Sequence, residues 1–370
     1  MTSEALNGER LLTLRHLTGL TQGELASRLG VSGGFLSHVT AGTKAFPTSL
    51  AQAASAEFRV PQAFFTVRTA PEDVGPVTFK KTSAARARDE KRVIALYGEA
   101  SRLFRHVSAS SSYRASGLPK VEPHEDPEVI AQTVRTLAGV LPGAPIKNVT
   151  RLAERLGVGV VHTLDPDGHS DNAHAGASRP SAVATRPLVA LACALSGAEQ
   201  RFTLAHELFH VMADQDLDRG LTLVRDPREL RAHRFAGALL LPRTAAERHI
   251  SETLTLHGYL KVKAEFGLSV GAIIHRAHDL NLISDRRQKS LYIQWSSAGW
   301  RRGDEPVSVA SERPLLLDQA LRRVYGRNYL AKSSHDTGVP AQLISAWVEA
   351  SSDMSQDAVA EVVELPRGRR

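Results

Sequence analysis

The stretch 201–212, RFTLAHELFHVM, carries His206, Glu207 and His210 in the spacing HExxH. Positions four apart share one face of a helix, so the two imidazoles can bind a single divalent cation while Glu207 addresses water beside it. Phe202, Leu204, Ala205, Leu208, Phe209 and Val211 make the segment apolar nearly all round, as expected for a helix crossing a domain interior. Three ionisable groups in such surroundings need compensation, and a cation supplies it. A catalytic zinc takes three protein ligands and keeps one position open. Downstream, 229–242 reads ELRAHRFAGALLLP, a second apolar helix ended by Pro242. Glu229 and His233, one turn apart, compete there for the third position. The plainer alternative is a pair of core histidines with Glu229 as a helix cap.

Around this pair of helices the pattern changes type. Asp126 and Pro127 suit an N-cap and first turn, with Val129, Ile130, Val134, Leu137 and Val140 following at helical spacing. Another helix is expected over Val149–Leu156. Val158–Val161 and Leu188–Ala192 are short aliphatic runs bounded by Gly or Pro and read as strands, with Asp165–Arg179 as loop between them. Cys193, just after the second run, reads as a small buried residue. Leu260–Ser284 reads as helix, turn, helix with Ser269 as a cap, and a further helix is expected at Leu315–Tyr325. The ending LPRGRR reads as a basic tail.

A chain of 370 residues exceeds the size at which one core stops growing, and aromatic residues are only 5%, which favours packed helices built from Leu, Val, Ile and Ala. The fold class is therefore mainly α with a small β-sheet (α+β). The expected divisions are 1–70, a helical reader; 71–124, a basic linker and connector helix; 125–250, the metal-binding domain; 251–300, a helical extension; and 301–370, a C-terminal helical region. One cysteine removes any disulfide framework. There is no uncharged apolar run of 18 residues and no leader-like start, so a cytoplasmic protein without membrane contact is expected. Net charge is +7, and the segment 76–120 accounts for it, with ten Lys or Arg against three acids. Lys80, Lys81, Arg86 and Arg88 in that segment are candidate phosphate contacts; a solvated helix face is the competing reading.

Residues 6–68 form short helical segments broken at Gly19, Gly30 and Gly42. Thr21 with Glu24 three residues on is a capping-box pattern, Ser32 can cap the next helix, and Leu36 and Val39 would face inward. If the second of these helices enters a major groove, it offers Ser32, Gly33, Gly34, Ser37 and His38, with Gln22, Ser37 and Lys44 as phosphate contacts. Two glycines at reading positions remove side-chain contacts. A helix-turn-helix used for protein contact is the alternative.

Two resemblances follow from these motifs. LTQGELASRLGVSGGFLSHVTAGTKAFP is similar to the XRE-type, lambda-repressor-like helix-turn-helix, over residues 6–68. RFTLAHELFH and ELRAHRFAGALLLP resemble the two motifs of the ImmA/IrrE family of zincin-like metallopeptidases, over about 125–300, with Phe209 where Gly is usual and His233 where Asn is usual. The second resemblance implies Zn2+, or another divalent metal, on His206, His210 and Glu229, with Glu207 as general base. His174, His233, Tyr259 and arginines stay open as oxyanion donors. Together the resemblances imply a transcriptional regulator that binds double-stranded DNA and cleaves a protein partner, a repressor; a homodimer is a further expectation, kept open. The competing readings are a transcription factor with a non-hydrolytic sensor domain and a toxin-antitoxin or phage-defence component.

Overall fold

The structure is a computed structural model and describes residues 5–70, 75–81, 87–113, 115–122, 124–168, 174–181, 186–216, 226–302 and 305–349. At the N-terminus stand α1 (Glu9–Thr18), α2 (Gln22–Arg28), α3 (Gly33–Thr40) and α4 (Thr48–Phe58), then a 3-10 turn at Gln62–Thr66. Strand β1 (Thr78–Lys81) and the long helix α5 (Ala87–Ser111) lead into α6 (Pro127–Leu137), α7 (Val149–Arg155), β2 (Gly159–Val161), β3 (His174–Ser178) and β4 (Leu188–Leu191). Helices α8 (Gly197–Ala213), α9 (Pro227–Leu240), α10 (Arg243–His249), α11 (Gly258–Phe266), α12 (Val270–Asp279) and α13 (Asp285–Ser297) follow. The described chain closes with α14 (Leu316–Tyr325), α15 (Tyr329–Thr337) and α16 (Ala341–Glu349), so mainly α with a small sheet is what the chain folds to.

Local chemistry accounts for the helix starts. Thr21 and Glu24 form the capping box at α2, Ser32 accepts from the Phe35 N–H at α3, and Asp126 with Pro127 opens α6. Ser196 with Glu199 makes a second capping box at α8, and Asp226 with Pro227 opens α9. Pro242 ends α9 where the sequence placed the stop.

The four strands lie in the order β1-β3-β4-β2, with β2 and β4 parallel and the other neighbours antiparallel. Two of these strands correct the sequence reading. The segment 71–124, read as a basic linker and connector helix, also contains β1, whose Thr78 hydroxyl bonds the Ser178 carbonyl oxygen at 3.0 Å. Asp165–Arg179, read as loop, ends in β3, whose sequence HAGAS lacks the β-branched signal. A side chain at Gly176 would collide with Thr203 and Glu207, its Cβ falling 2.6 and 2.8 Å from them, so small residues are imposed on this strand by α8 beneath it.

Strands β2 and β4 are buried throughout, which explains their continuous aliphatic runs. Paired residues Val160 and Val189 join a core with α6 to α13, while Val161, Leu188 and Ala190, facing the other way, join a second core. That second core also contains Leu11, Leu14 and Leu36 of the N-terminal helices, Leu103 and Phe104 of α5, and Leu321 and Trp347 of the C-terminal helices. The sheet is thus a wall between two hydrophobic cores, and α8 and α9, which carry His206, His210 and Glu229, lie on one side of it. Cys193 is half-buried at its end, with burial pushing its thiol pKa up.

Candidate metal centre

Helix α8 runs through the interior, and His206, Glu207 and His210 are each at most 1% exposed. Glu229 lies in the first turn of α9 and reaches across to them. The Nε2 atoms of His206 and His210 are 3.1 Å apart, and the Glu229 carboxylate oxygens stand 3.1 Å from His206 Nε2 and 3.5 Å from His210 Nε2. Ligand atoms bound tetrahedrally at 2.0–2.1 Å are separated by about 3.3 Å. The three side chains therefore have the spacing of three corners of a coordination tetrahedron, and they are the group among the described residues that could hold a metal ion.

The electrostatics fit the same conclusion. Burial pushes the Glu229 carboxyl up to about 7, helped by Glu207, Asp214 and Asp226 and opposed by His210. Burial disfavours a charged His210, but the hydrogen bond it donates to Asp214 and the carboxylates of Glu207 and Glu229 outweigh it and raise its pKa. Three acids thus stand around two imidazoles in a place largely sheltered from water. A divalent cation is compatible with that donor set, and the residues present fit one.

Supporting groups hold this set in place. Asp214 Oδ2 is 2.6 Å from His210 Nδ1, which turns the Nε2 of that ring toward Glu229. Arg228 in turn reaches Asp214 at 3.4 Å and Asp216 at 2.9 Å. On β3, Ser178 Oγ donates to Glu207 Oε2 at 2.7 Å, and Gly176 lets the Glu207 side chain lie against the strand. Sequence reasoning missed both supports. Asp214 was detectable, being four residues beyond His210 on the same helix face; Ser178 was not, because its strand carried no strand signal.

The competitors for the third ligand separate clearly. Glu229 joins the two histidines, whereas the His233 ring lies on the exposed side, 5.6 Å from the His206 ring and 4.9 Å from Phe202. Phe209 is fully buried, packs on Phe235 at 5.5 Å and carries the Arg231 guanidinium over its ring. Tyr259 sits in the core with Arg287 and Glu252 as its charged neighbours. The His174 side chain lies outside the described residues.

At the N-terminus, α2 and α3 form a helix, turn, helix with Leu25, Ala26, Leu36 and Val39 inward. Ser32, Ser37, His38 and Lys44 are exposed and Gln22 is half-buried. Gln22 bonds the Ser37 hydroxyl and the Gly33 carbonyl, and His38 Nδ1 is 3.0 Å from Thr43 Oγ1. The four basic candidates after it divide. Lys80 and Lys81 lie on β1, Arg88 is exposed in the first turn of α5 near Gly19, and Arg86 lies outside the described residues. Part of the basic segment is internal, since Arg92 is buried and bonds Asp165 through both Nε (3.0 Å) and Nη2 (2.8 Å).

Residues 153–278 match the family model for the IrrE N-terminal-like domain, Peptidase_M78. The match takes in α8 and α9, with every candidate ligand, and runs into α12. Neither curated proteins nor solved structures give a match. No helix among the described residues is long and apolar enough to cross a membrane.

Proposed function

We propose that the chain is a cytoplasmic DNA-binding regulator whose Peptidase_M78-like domain is a zinc-dependent endopeptidase acting on a protein partner, a repressor. The observation that carries the peptidase reading is the approach of His206, His210 and Glu229 to within ligand spacing, with Glu207 beside them on the same helix. A zinc ion held by these three side chains supplies Lewis acidity toward water and toward a peptide carbonyl. Glu207 accepts the proton from the attacking water and delivers it to the leaving amine, so that the base of the first step is the acid of the second. Ser178 donates to one carboxylate oxygen of Glu207 and so holds that side chain in position. Asp214 holds His210 as a ligand through Nε2.

The DNA-binding reading is supported by the exposed start of α3 and by the cap chemistry of its turn. Ser32, Ser37 and His38 face the groove edges, and Gln22 and Lys44 face phosphate, while Lys80, Lys81, Arg86 and Arg88 extend the phosphate contacts. The chain acts as a homodimer on a two-fold operator.

A second reading, a metal-holding sensor without turnover, is favoured by the depth of the site, since Glu207 is fully buried. One set of assays separates the two. Purified protein is expected to hold about one zinc per chain. The wild type is expected to cleave an operon-linked repressor, while Glu207→Gln keeps the metal and loses at least about a hundredfold in rate. Metal in both proteins with no cleavage of any such partner supports the sensor, and cleavage surviving Glu207→Gln sinks the proton-transfer role. Operator binding should weaken steeply with salt, and Lys80→Ala with Lys81→Ala should weaken it on all sequences alike.

A further inference from the structure

Just past β3 the chain turns a charged side chain to the face of the sheet opposite the candidate metal centre. Ser178 points toward α8 and Glu207, Ala177 joins the second core, and Arg179 follows on that second side. Its backbone N–H donates to the Tyr97 hydroxyl at 3.0 Å. Arg179 is 8% exposed, and its guanidinium lies over the Tyr97 ring, 5.4 Å from the centroid. Its Nε and Nη1 atoms are buried and have no acceptor among the described residues. A buried cation is costly unless paired, and one aromatic face offsets only part of that cost. Other buried guanidinium groups of this chain meet carboxylates: Arg92 has Asp165, and Arg201 has Glu312.

Arg179 lines a cleft of about 220 Å3 between α1, the end of the 3-10 turn and α5. Four guanidinium groups, Arg10, Arg68, Arg102 and Arg179, line it against two carboxylates, Glu9 and Glu99. Glu99 is 2% exposed and already engaged, by Arg10 at 2.8 Å and by Arg102, which also donates to the Thr337 carbonyl. Glu9 is exposed at the rim, where solvent screens it. Burial, with Arg15 and Lys91 nearby, lowers the His16 pKa below 6.5, so that imidazole is neutral at pH 7. Four cations against two anions leave an excess of two positive charges, and Arg179 is one of them.

We propose that this cleft binds a small phosphate-bearing anion, inorganic phosphate or the phosphate monoester of a small alcohol, on the guanidinium of Arg179 with Arg68 as the second cation. A planar guanidinium presents paired N–H donors that match two phosphate oxygens, and a dianion balances the excess charge. The volume lies below the roughly 300–1,000 Å3 of pockets for drug-sized ligands, which excludes a nucleotide. A guanidinium so deeply placed is also out of reach of a duplex backbone. The walls belong to the helix-turn-helix region, to α5 and to the end of β3, so the anion would bridge all three. The site is independent of the peptidase reading.

The full chain is titrated by calorimetry at constant ionic strength with sodium phosphate, glycerol 3-phosphate and succinate, and its urea midpoint is measured with and without each. The expected result is one saturable phosphate site per chain, weakened at least about tenfold by Arg179→Gln and at least about threefold by Arg68→Ala. The tighter of the two phosphates identifies the source of the group. Phosphate should raise the urea midpoint of the wild type and leave that of Arg179→Gln in place. Without phosphate, Arg179→Gln should unfold at the wild-type midpoint or above it, since it removes an unpaired charge. No saturable heat from either phosphate up to about 10 mM overturns the site, as does binding unmoved by Arg179→Gln. If Arg179→Gln does not fold, the exposed Arg68 decides, and phosphate binding unchanged in Arg68→Ala overturns the site. Succinate bound as tightly as phosphate overturns the assignment to phosphate.

Discussion

At the scale of single residues, the candidate metal centre depends on groups outside the three candidate ligands. Asp214 is 2% exposed and bonds His210 Nδ1, so it decides which nitrogen of that ring faces Glu229. Asp214→Asn replaces an anionic acceptor by an amide that can present a donor to the same nitrogen. Zinc affinity, read by competition with a chelator, is expected to fall about 10- to 100-fold while the fold is retained. Ser178 has the corresponding role for Glu207, and it acts through a strand too poor in side chains to be recognised as one. The two candidate imidazoles were legible, because HExxH fixes them on one face, and so was the apolar helix that begins at Glu229. The choice between Glu229 and His233 was not, since both lie on one face of α9 and the crossing of α8 and α9 alone decides which of them meets the histidines.

At the scale of elements, the helix caps and the proline stop were written in the sequence, and the two aliphatic strands were too. The remaining strands were hidden for identifiable reasons. β3 must be small to admit Glu207 and Thr203, and β1 is a four-residue edge strand next to a run of charges. A long-range tie was equally out of reach of periodicity. Glu312 lies far along the chain, yet its carboxylate accepts from the Val149 and Thr150 N–H groups at 2.9 and 2.7 Å and pairs with Arg201 on α8. It thereby caps α7 and neutralises a guanidinium that is 6% exposed on α8. Glu312→Ala leaves that charge without its carboxylate and uncaps α7, and urea unfolding is expected to show a loss of about 3 kcal/mol. A loss below about 1 kcal/mol would mean that the Arg201 bonds to the Ile146 and Phe266 carbonyls suffice by themselves.

At the scale of the whole molecule, stability is expected to fall with acid through one well-defined group. His162, at the end of β2, is buried, and its Nδ1 is 2.9 Å from the Gln200 amide. Burial lowers its pKa from 6.5 to about 4. Because the unfolded chain then binds the proton more readily than the folded one, its contribution is intact above pH 6.5 and is lost as the pH falls toward 4. The loss amounts to about 3 kcal/mol. His162→Gln should flatten the urea midpoint over that range relative to wild type, and parallel acid profiles for the two proteins would count against this assignment.

The wall-like sheet also bears on how the chain can be taken apart. Gly338 lies against the backbone of Ala63 and Phe64, Arg10 pairs with Glu99 on α5 at 2.8 Å, and Phe104 of α5 covers Gly159 of β2. A graft that exchanged the first 70 residues for another reader would strip apolar surface from α5 and α15 and expose it to water. The transplantable piece is larger than the helix-turn-helix: it carries α5 and the C-terminal helices with it, and the seam for such an exchange runs along the face of the sheet instead of through the basic segment.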